Sequence, residues 1–418
     1  MAEPPRLIAL DALRGIAVMG ILLMNMAGFA LPGAAYLNPA AYGGATGADL
    51  IAWAASFVLV DGKMRALFSL LFGASMVLVI DRAEESGRDG AGVHFRRMGW
   101  LFAIGLVHAY LIWSGDILVP YAIVGTIAYA HVGRTVRQQL VLASVLLLGQ
   151  WLLLSSLLSG LAEARNAALA PDASAAATRA WRGIADQIGI PSPEAIAHAL
   201  TVYRGGYGAI LHDRVGQSWT TPFLQLIDVG PETLALMLLG MAGLRSGFLT
   251  GGWSRTTYRR VAIAAYLVGL PALCLIALAT VRSGFDEILT VSAAQLYAAP
   301  LRLIVMFGHV SLAMLWLTGS PGGAPVARVA AVGRAAFSNY LATSLVMTTI
   351  FYGYGLGLFG RLGRAELYLL VPPAWAAMLV WSKPWLDRYR YGPLEWLWRS
   401  LARGAPQRMR RSQDTIES

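Results

Sequence analysis

The sequence predicts an all-α polytopic membrane protein, a bundle of about ten (10–11) transmembrane helices with both termini on the cytoplasmic side. Three observations predict it. Of 418 residues, 57% are hydrophobic and only 13% charged, against roughly a quarter charged in an ordinary soluble domain. Apolar runs recur from Gly15 to Trp381 instead of being gathered into one core. Arginines, finally, fall in alternate short loops, the pattern that orients membrane helices.

Apolar stretches suited to crossing a bilayer cover 10–31, 64–80, 98–113, 117–132, 140–158, 223–244, 261–281, 296–318, 337–358 and 367–381. A further piece, 49–60, is too short to span alone and is cut off by Asp61-Gly62-Lys63-Met64-Arg65. It is read as a re-entrant or broken helix near residues 49–65. With ten spans, Arg82, Arg88, Arg96, Arg97, Arg134, Arg137, Arg245, Arg255, Arg259, Arg260, Arg328 and Arg334 share one side with the basic tail through Arg411. That side is cytoplasmic, because short loops rich in Lys and Arg stay inside. Counting 49–60 as a span would invert every later loop.

Residues 32–48 carry no Lys or Arg and lie on the outer side with a polar insert long enough to fold as a small helical cap. The chain thus divides into an N-terminal transmembrane half (1–158), an extracytoplasmic insert (159–222), a C-terminal transmembrane half (223–386), and an interfacial helix with a basic tail (387–418). Gly392-Pro393-Leu394-Glu395-Trp396-Leu397-Trp398-Arg399 reads as that helix, anchored by tryptophan.

The formal charge of +10 does not point to nucleic acid, since the cations sit in loops and at the tail instead of on one surface. Cys274 is the only cysteine and lies in an apolar run, which excludes a disulfide framework. Asp11 and Arg14 open the first apolar stretch, so it is expected to be retained and not cleaved as a signal peptide. The His, Asp and Glu spacings hold no metal pattern, and no Gly-rich phosphate loop or nucleophile elbow occurs.

Ionisable groups at bilayer depth cost about 2.5–3.5 kcal/mol each and therefore narrow the search for a site. Asp11 and Arg14 are three apart, and Asn25 follows eleven after Arg14, on nearly the same helix face about 16 Å along. In one reading this polar stripe is a cap, a snorkelling arginine and a helix-packing amide. In the other, Arg14 meets a phosphate-bearing ligand and Asn25 lines a deeper cavity. His108 and Asp116, about 12 Å apart on a straight helix, are separated by a Ser114-Gly115 break that could fold the acid back. His108 is either a base away from water or a histidine bonded between helices; Asp116 is either its partner or an N-cap. Asp61, Lys63 and Arg65 at the helix break, Ser338 and Asn339 in Gly333–Tyr340, and Glu395 complete the polar candidates. His309 reads as a packing residue.

The run Leu10-Asp11-Ala12-Leu13-Arg14-Gly15-Ile16-Ala17 through Asn25, a Leu71-Phe72-Gly73 turn, the His108–Asp116 and Gly333–Tyr340 segments and the closing Gly392–Arg399 resemble the YeiB-like family of bacterial membrane proteins, a domain of unknown function. The resemblance covers almost the whole chain. The first span is in turn similar to the transmembrane acyltransferase superfamily, which includes bacterial O-acetyltransferases and the lysosomal heparan-alpha-glucosaminide N-acetyltransferase. The resemblance implies a protein of the bacterial cytoplasmic (inner) membrane that moves an acyl group, acetyl above all, from cytosolic acyl-CoA to a hydroxyl or amine at the outer side. In the O-acetyltransferases a histidine stands eleven after the motif arginine, where this chain has Asn25. The lysosomal type keeps asparagine there and places a histidine in the next luminal segment, but residues 32–48 have none.

The resemblance therefore implies His108 as the replacement base, Asp116 orienting it or binding acceptor, Asn25 polarising the thioester carbonyl, and Arg14 receiving CoA phosphate. Asp11, Lys63 and Arg65 are expected beside the cofactor, and Asp61, Ser338 and Asn339 elsewhere in the pocket. The expected partners are membrane lipid, acyl-CoA and an unassigned acceptor; no metal and no nucleic acid are expected, and self-association stays open. The competing readings are a transporter or exporter of a small amphiphile or lipid, and a non-catalytic lipid-binding membrane protein.

Overall fold

Gly, Pro and small capping side chains punctuate the apolar runs into helices, and helices make up most of the described chain. The computed structural model describes residues 8–411 except 217 and 321. In order they are α1 (Ile8–Ala30), α2 (Gly47–Leu59), α3 (Lys63–Glu85), α4 (Gly90–Val107), α5 (Leu118–Ala128), α6 (Val136–Leu169), α7 (Ala175–Ile188), α8 (Pro193–Arg204) and α9 (Tyr207–Gly216). There follow α10 (Thr221–Arg245), α11 (Arg255–Arg282), α12 (Glu287–Ser292), α13 (Ala298–Gly319), α14 (Ala324–Arg334), α15 (Ala336–Phe351), α16 (Arg364–Leu367), α17 (Val371–Arg388) and α18 (Pro393–Arg403). Caps follow the sequence. Thr135 and Gln138 bond reciprocally to open α6, and Ser174, Ser192 and Ser254 cap α7, α8 and α11.

Among the described residues, seven helices are long and apolar enough to cross a membrane: α1, α2–α3, α6, α10, α11, α12–α13 and α16–α17. The other three predicted segments fall on shorter or interrupted pieces, α4 with the turn after it, α5, and α15. Exposed apolar side chains form one stripe along α6 (Val141, Val145, Leu148, Leu152) and another along α11 (Ile263, Leu267, Leu275). Such stripes have no place against water. The chain is a multi-pass membrane protein, and these faces meet lipid.

The break predicted near residue 60 is present. Val60–Gly62 separates α2 from α3, with Gly62 at φ +73°, and a side chain there would strike the Arg302 stem. His309 donates from Nε2 to the Leu59 carbonyl at 2.9 Å and accepts from Tyr266 at Nδ1, so it satisfies the end of α2. A second interruption is made good in the same way. Pro231 inside α10 removes the donor due to the Ile227 carbonyl, and Gln150 Nε2 donates to the carbonyls of Ile227 and Asp228 at 3.5 and 2.7 Å.

Leu71-Phe72-Gly73, read from sequence as a turn, lies inside the unbroken helix α3. The glycine serves packing: a Cβ on Gly73 would sit 2.0 Å from the Met237 carbonyl oxygen, and one on Gly240 would sit 1.8 Å from that of Leu70. The backbones of α3 and α10 touch there. Gly15 and Gly333 bring α1 and α14 together likewise, against the Val329 and Asp11 carbonyls. Within the insert, α7, α8 and α9 lie over one end of the bundle, tied to the loop after α15 by Gly353 N–H to the Tyr203 carbonyl and Arg204 Nε to the Phe359 carbonyl.

Candidate functional site

A cavity of about 760 Å³ opens at the end of the bundle opposite the insert. Its wall follows α3 from Glu85 down to Phe68, about 25 Å along the helix. The mouth is basic. Arg14 from α1, Arg82 and Arg88 from the end of α3 and its loop, Arg97 from α4, Arg334 from α14, and Arg390, Arg399 and Arg403 from the C-terminal segment line it, against only Asp11, Glu85 and Glu395. The depth is apolar, with Phe68, Phe72, Leu101, Ile117, Leu118, Tyr121 and Tyr340. A volume in the ~300–1,000 Å³ range of ligand sites, cationic at the mouth and greasy at the end, suits an anionic amphiphile.

Arg14 is held for that role by its own surroundings. Its Nη1 pairs with Asp11 Oδ1 at 2.8 Å, and Nη2 donates to Ser75 Oγ at 2.8 Å, leaving the group about a quarter exposed to the cavity. Burial depresses the Arg399 guanidinium from its usual range; Tyr391 and Glu395 offset part of this, while Arg403 and Arg14 add repulsion. Crowded cations of this kind are relieved by a bound polyanion.

The base candidate sits behind the deep end. The last turn of α4 widens into a π-turn at His108–Ile112, closed by Trp113 N–H to the His108 carbonyl at 2.8 Å. The chain then bends through Ser114-Gly115, where a side chain on Gly115 would strike the Trp113 ring. This bend returns Asp116 to His108: Nδ1 lies 2.8 Å from Asp116 Oδ1, and both side chains are fully buried. Asp116 Oδ2 accepts from the Val119 amide at 2.8 Å, so the same carboxylate also caps α5. With Nδ1–H directed at the acid, Nε2 carries the lone pair. Among the described residues that nitrogen has no hydrogen-bond partner.

Asn25 is 6% exposed and borders a separate void of about 10 Å³ with Tyr340, Ser344 and Phe29, space for one water-sized group. Its side chain makes no hydrogen bond among the described residues. Tyr340 borders this void and the large cavity alike, and its ring lies 5.3 Å from that of His108. Residue chemistry alone did not single out Tyr340; only its place between two voids does.

Several candidates from the sequence lie elsewhere. Lys63 is fully buried at the break and donates from Nζ to the Phe57 carbonyl, and Asp61 accepts from Ser56 Oγ at 2.8 Å. Arg65 pairs with Glu232, which also faces Arg302 at 3.9 Å. None of the three lines the cavity with Arg14, because they sit at the helix break and the first turn of α3, beyond Phe68 where its lining ends and where the Tyr121 hydroxyl bonds Ser69. Nor do Ser338 and Asn339. Asn339 binds the Val332 carbonyl, Ser382 and Trp381, locking α15 to α17.

Ser338 instead meets Glu395, whose carboxylate accepts from the Phe337 and Ser338 amides at 2.7 and 3.1 Å and from Ser338 Oγ at 2.5 Å. The C-terminal helix, expected only to anchor, therefore caps α15 and forms one wall of the cavity. Trp398 fixes it by donating to the Arg97 carbonyl at 2.9 Å, with the Arg97 guanidinium 4.0 Å from its ring centre. Burial raises the Glu395 pKa. A carboxyl that titrates higher folded than unfolded gives stability that is fully present below its unfolded value and lost as pH rises through the folded one. The melting temperature of Glu395→Gln is thus expected to fall less between pH 5 and 8 than that of wild type. Parallel curves would refute this.

Among the described residues, no group of three His, Cys, Asp or Glu side chains gathers as a metal site. Residues 244–405 match the family described as "Protein of unknown function (DUF418)". The chain is 35% identical over 408 residues to uncharacterized protein YeiB of Escherichia coli (strain K12), covering 95% of this chain and 96% of that one. It is 30% identical over 409 residues to uncharacterized protein YxaH of Bacillus subtilis (strain 168), covering 94% of each. An uncharacterized 39.9 kDa protein in the amylase 3'region of Bacillus acidopullulyticus is 33% identical over 125 residues, 30% of this chain and 34% of that one. No solved structure matches. Matched along almost its whole length by two such relatives, the chain belongs to the YeiB-like, DUF418 family.

Proposed function

We propose that this protein is a membrane-embedded acyltransferase that moves an acyl group, acetyl in the simplest case, from acyl-CoA to a hydroxyl or amine acceptor. The observation that carries this reading is the arginine-mouthed cavity whose apolar end meets Tyr340, with the ring of His108, buried and paired with Asp116, 5.3 Å from the Tyr340 ring. CoA phosphates would bind at the mouth, with Arg14 among their partners, and the pantetheine arm would follow the apolar wall. The arginine excess at this end supports a cytosolic orientation in a bacterial cytoplasmic membrane, with the insert on the acceptor's side.

In the reaction, Asp116 holds His108 with Nδ1–H toward it, and Nε2 takes the acceptor's proton. The acceptor oxygen or nitrogen bonds to the thioester carbon, and the Asn25 amide faces the oxyanion. The C–S bond then breaks, and the departing thiolate takes the proton back from Nε2. Products are the acylated acceptor and free CoA.

The test is acetyl-CoA binding by the purified protein in detergent, followed by release of free thiol. Saturable binding with thiol release supports the transferase. Binding of acetyl-, butyryl- and palmitoyl-CoA without any cleavage would favour an exporter of anionic amphiphiles, and absence of binding would overturn the proposal.

A further inference from the structure

Tyr340 projects from the first full turn of α15, a helix whose start is immobilised on both flanks by Ser338–Glu395 and by Asn339. Its hydroxyl is buried and has no hydrogen-bond partner among the described residues; the Ile117 amide lies near the oxygen without reaching hydrogen-bond geometry. A phenylalanine would fill the same space without an unmet donor, so the hydroxyl is a liability for the empty protein. Two buried polar atoms without a protein partner, Tyr340 Oη and His108 Nε2, sit on rings 5.3 Å apart, and Asn25 lines the small void that Tyr340 borders. That void holds one small polar group.

We infer that Tyr340 is a catalytic residue whose hydroxyl donates a hydrogen bond to the thioester carbonyl oxygen, opposite the Asn25 amide, as that oxygen becomes an oxyanion. The proton stays on the phenol throughout. The donor lowers the barrier to C–S cleavage by stabilising charge that exists only in the transition state. This assignment rests on the acyltransferase reading. It adds that the donor's carbonyl must reach the Tyr340 ring, at the boundary between the large cavity and the Asn25 void.

The experiment compares wild type with Tyr340→Phe. The expected result is a kcat lower by about 10²–10³-fold, the usual effect of losing one oxyanion donor, with KM for acetyl-CoA within about threefold and a melting temperature equal or higher. A structural role would instead lower the melting temperature or raise KM, and either would overturn the assignment. A second readout needs no turnover. In the His108→Gln background, the infrared carbonyl band of bound 13C-labelled acetyl-CoA should lie at lower frequency when Tyr340 is present than in the double variant that also carries Tyr340→Phe. Equal bands and equal kcat would remove Tyr340 alone. A wild-type protein that neither binds nor cleaves acetyl-CoA would remove the acyltransferase reading and this inference with it.

Discussion

Replacing His108 by Gln is expected to lower acyl-transfer turnover about 10³-fold, within the 10²–10⁴-fold span of general base catalysis, while acetyl-CoA affinity stays unchanged. Gln is the informative choice because its amide can still donate to Asp116. Alanine would leave a fully buried carboxylate without its 2.8 Å partner, a loss that destabilises for reasons unrelated to chemistry. Asp116→Asn should slow turnover by a different route. Its carbonyl oxygen can still accept from the Val119 amide, but its NH₂ then faces Nδ1 and forces the proton onto Nε2, the wrong tautomer. Stopped-flow thiol-release kinetics with calorimetric binding would check both. Full activity in His108→Gln would exclude the residue as the base.

Substitutions at the mouth should act on binding instead, and in opposite directions. Arg14→Ala is expected to weaken acetyl-CoA binding about tenfold, the lower end of what a charge-assisted hydrogen bond contributes, because the side chain is about a quarter exposed and its field is partly screened. Asp11→Asn should tighten binding, since the neighbouring carboxylate at 2.8 Å competes for the guanidinium. Both effects should shrink as salt is raised from about 50 to 500 mM, roughly a threefold fall in screening length. Calorimetry across that series checks the pair. If Asp11→Asn weakened binding, the ion pair would be orienting Arg14 and not occupying it.

Most helix positions were legible in the sequence, because a span is a local property of about twenty apolar residues. The break at Gly62 was legible for the same reason: Asp61-Gly62-Lys63 interrupts an apolar pattern. The turn at Leu71-Phe72-Gly73 was misread, since a glycine inside a helix serves contact with Met237 as readily as it serves a bend. In the C-terminal helix, the spacing of Trp and Arg showed an amphipathic face but not that Glu395 would cap α15.

The site divides the same way. His108 and Asp116 could be named from residue chemistry, because a buried imidazole and carboxylate flanking a Ser-Gly break are costly enough to stand out. Lys63 and Arg65 stood out on the same grounds, yet they pair with Phe57 and Glu232 beyond the blind end of the cavity. Cost marks a residue as needing a partner without saying which.

The sequence by itself determined a helical membrane protein, its broken second segment, its basic faces and its costly polar residues, all of which follow from local hydropathy and charge. Only the tertiary structure decided that Arg14, Arg97 and Arg399 share one cavity, that Asn25 borders a separate void, and that Tyr340 lines both and packs its ring 5.3 Å from that of His108. The physical reason is that a cavity is made by helices far apart in the chain, α1, α3, α4, α5 and α15 among them, whose facing sides are set by backbone contacts at glycines and not by any spacing along one segment.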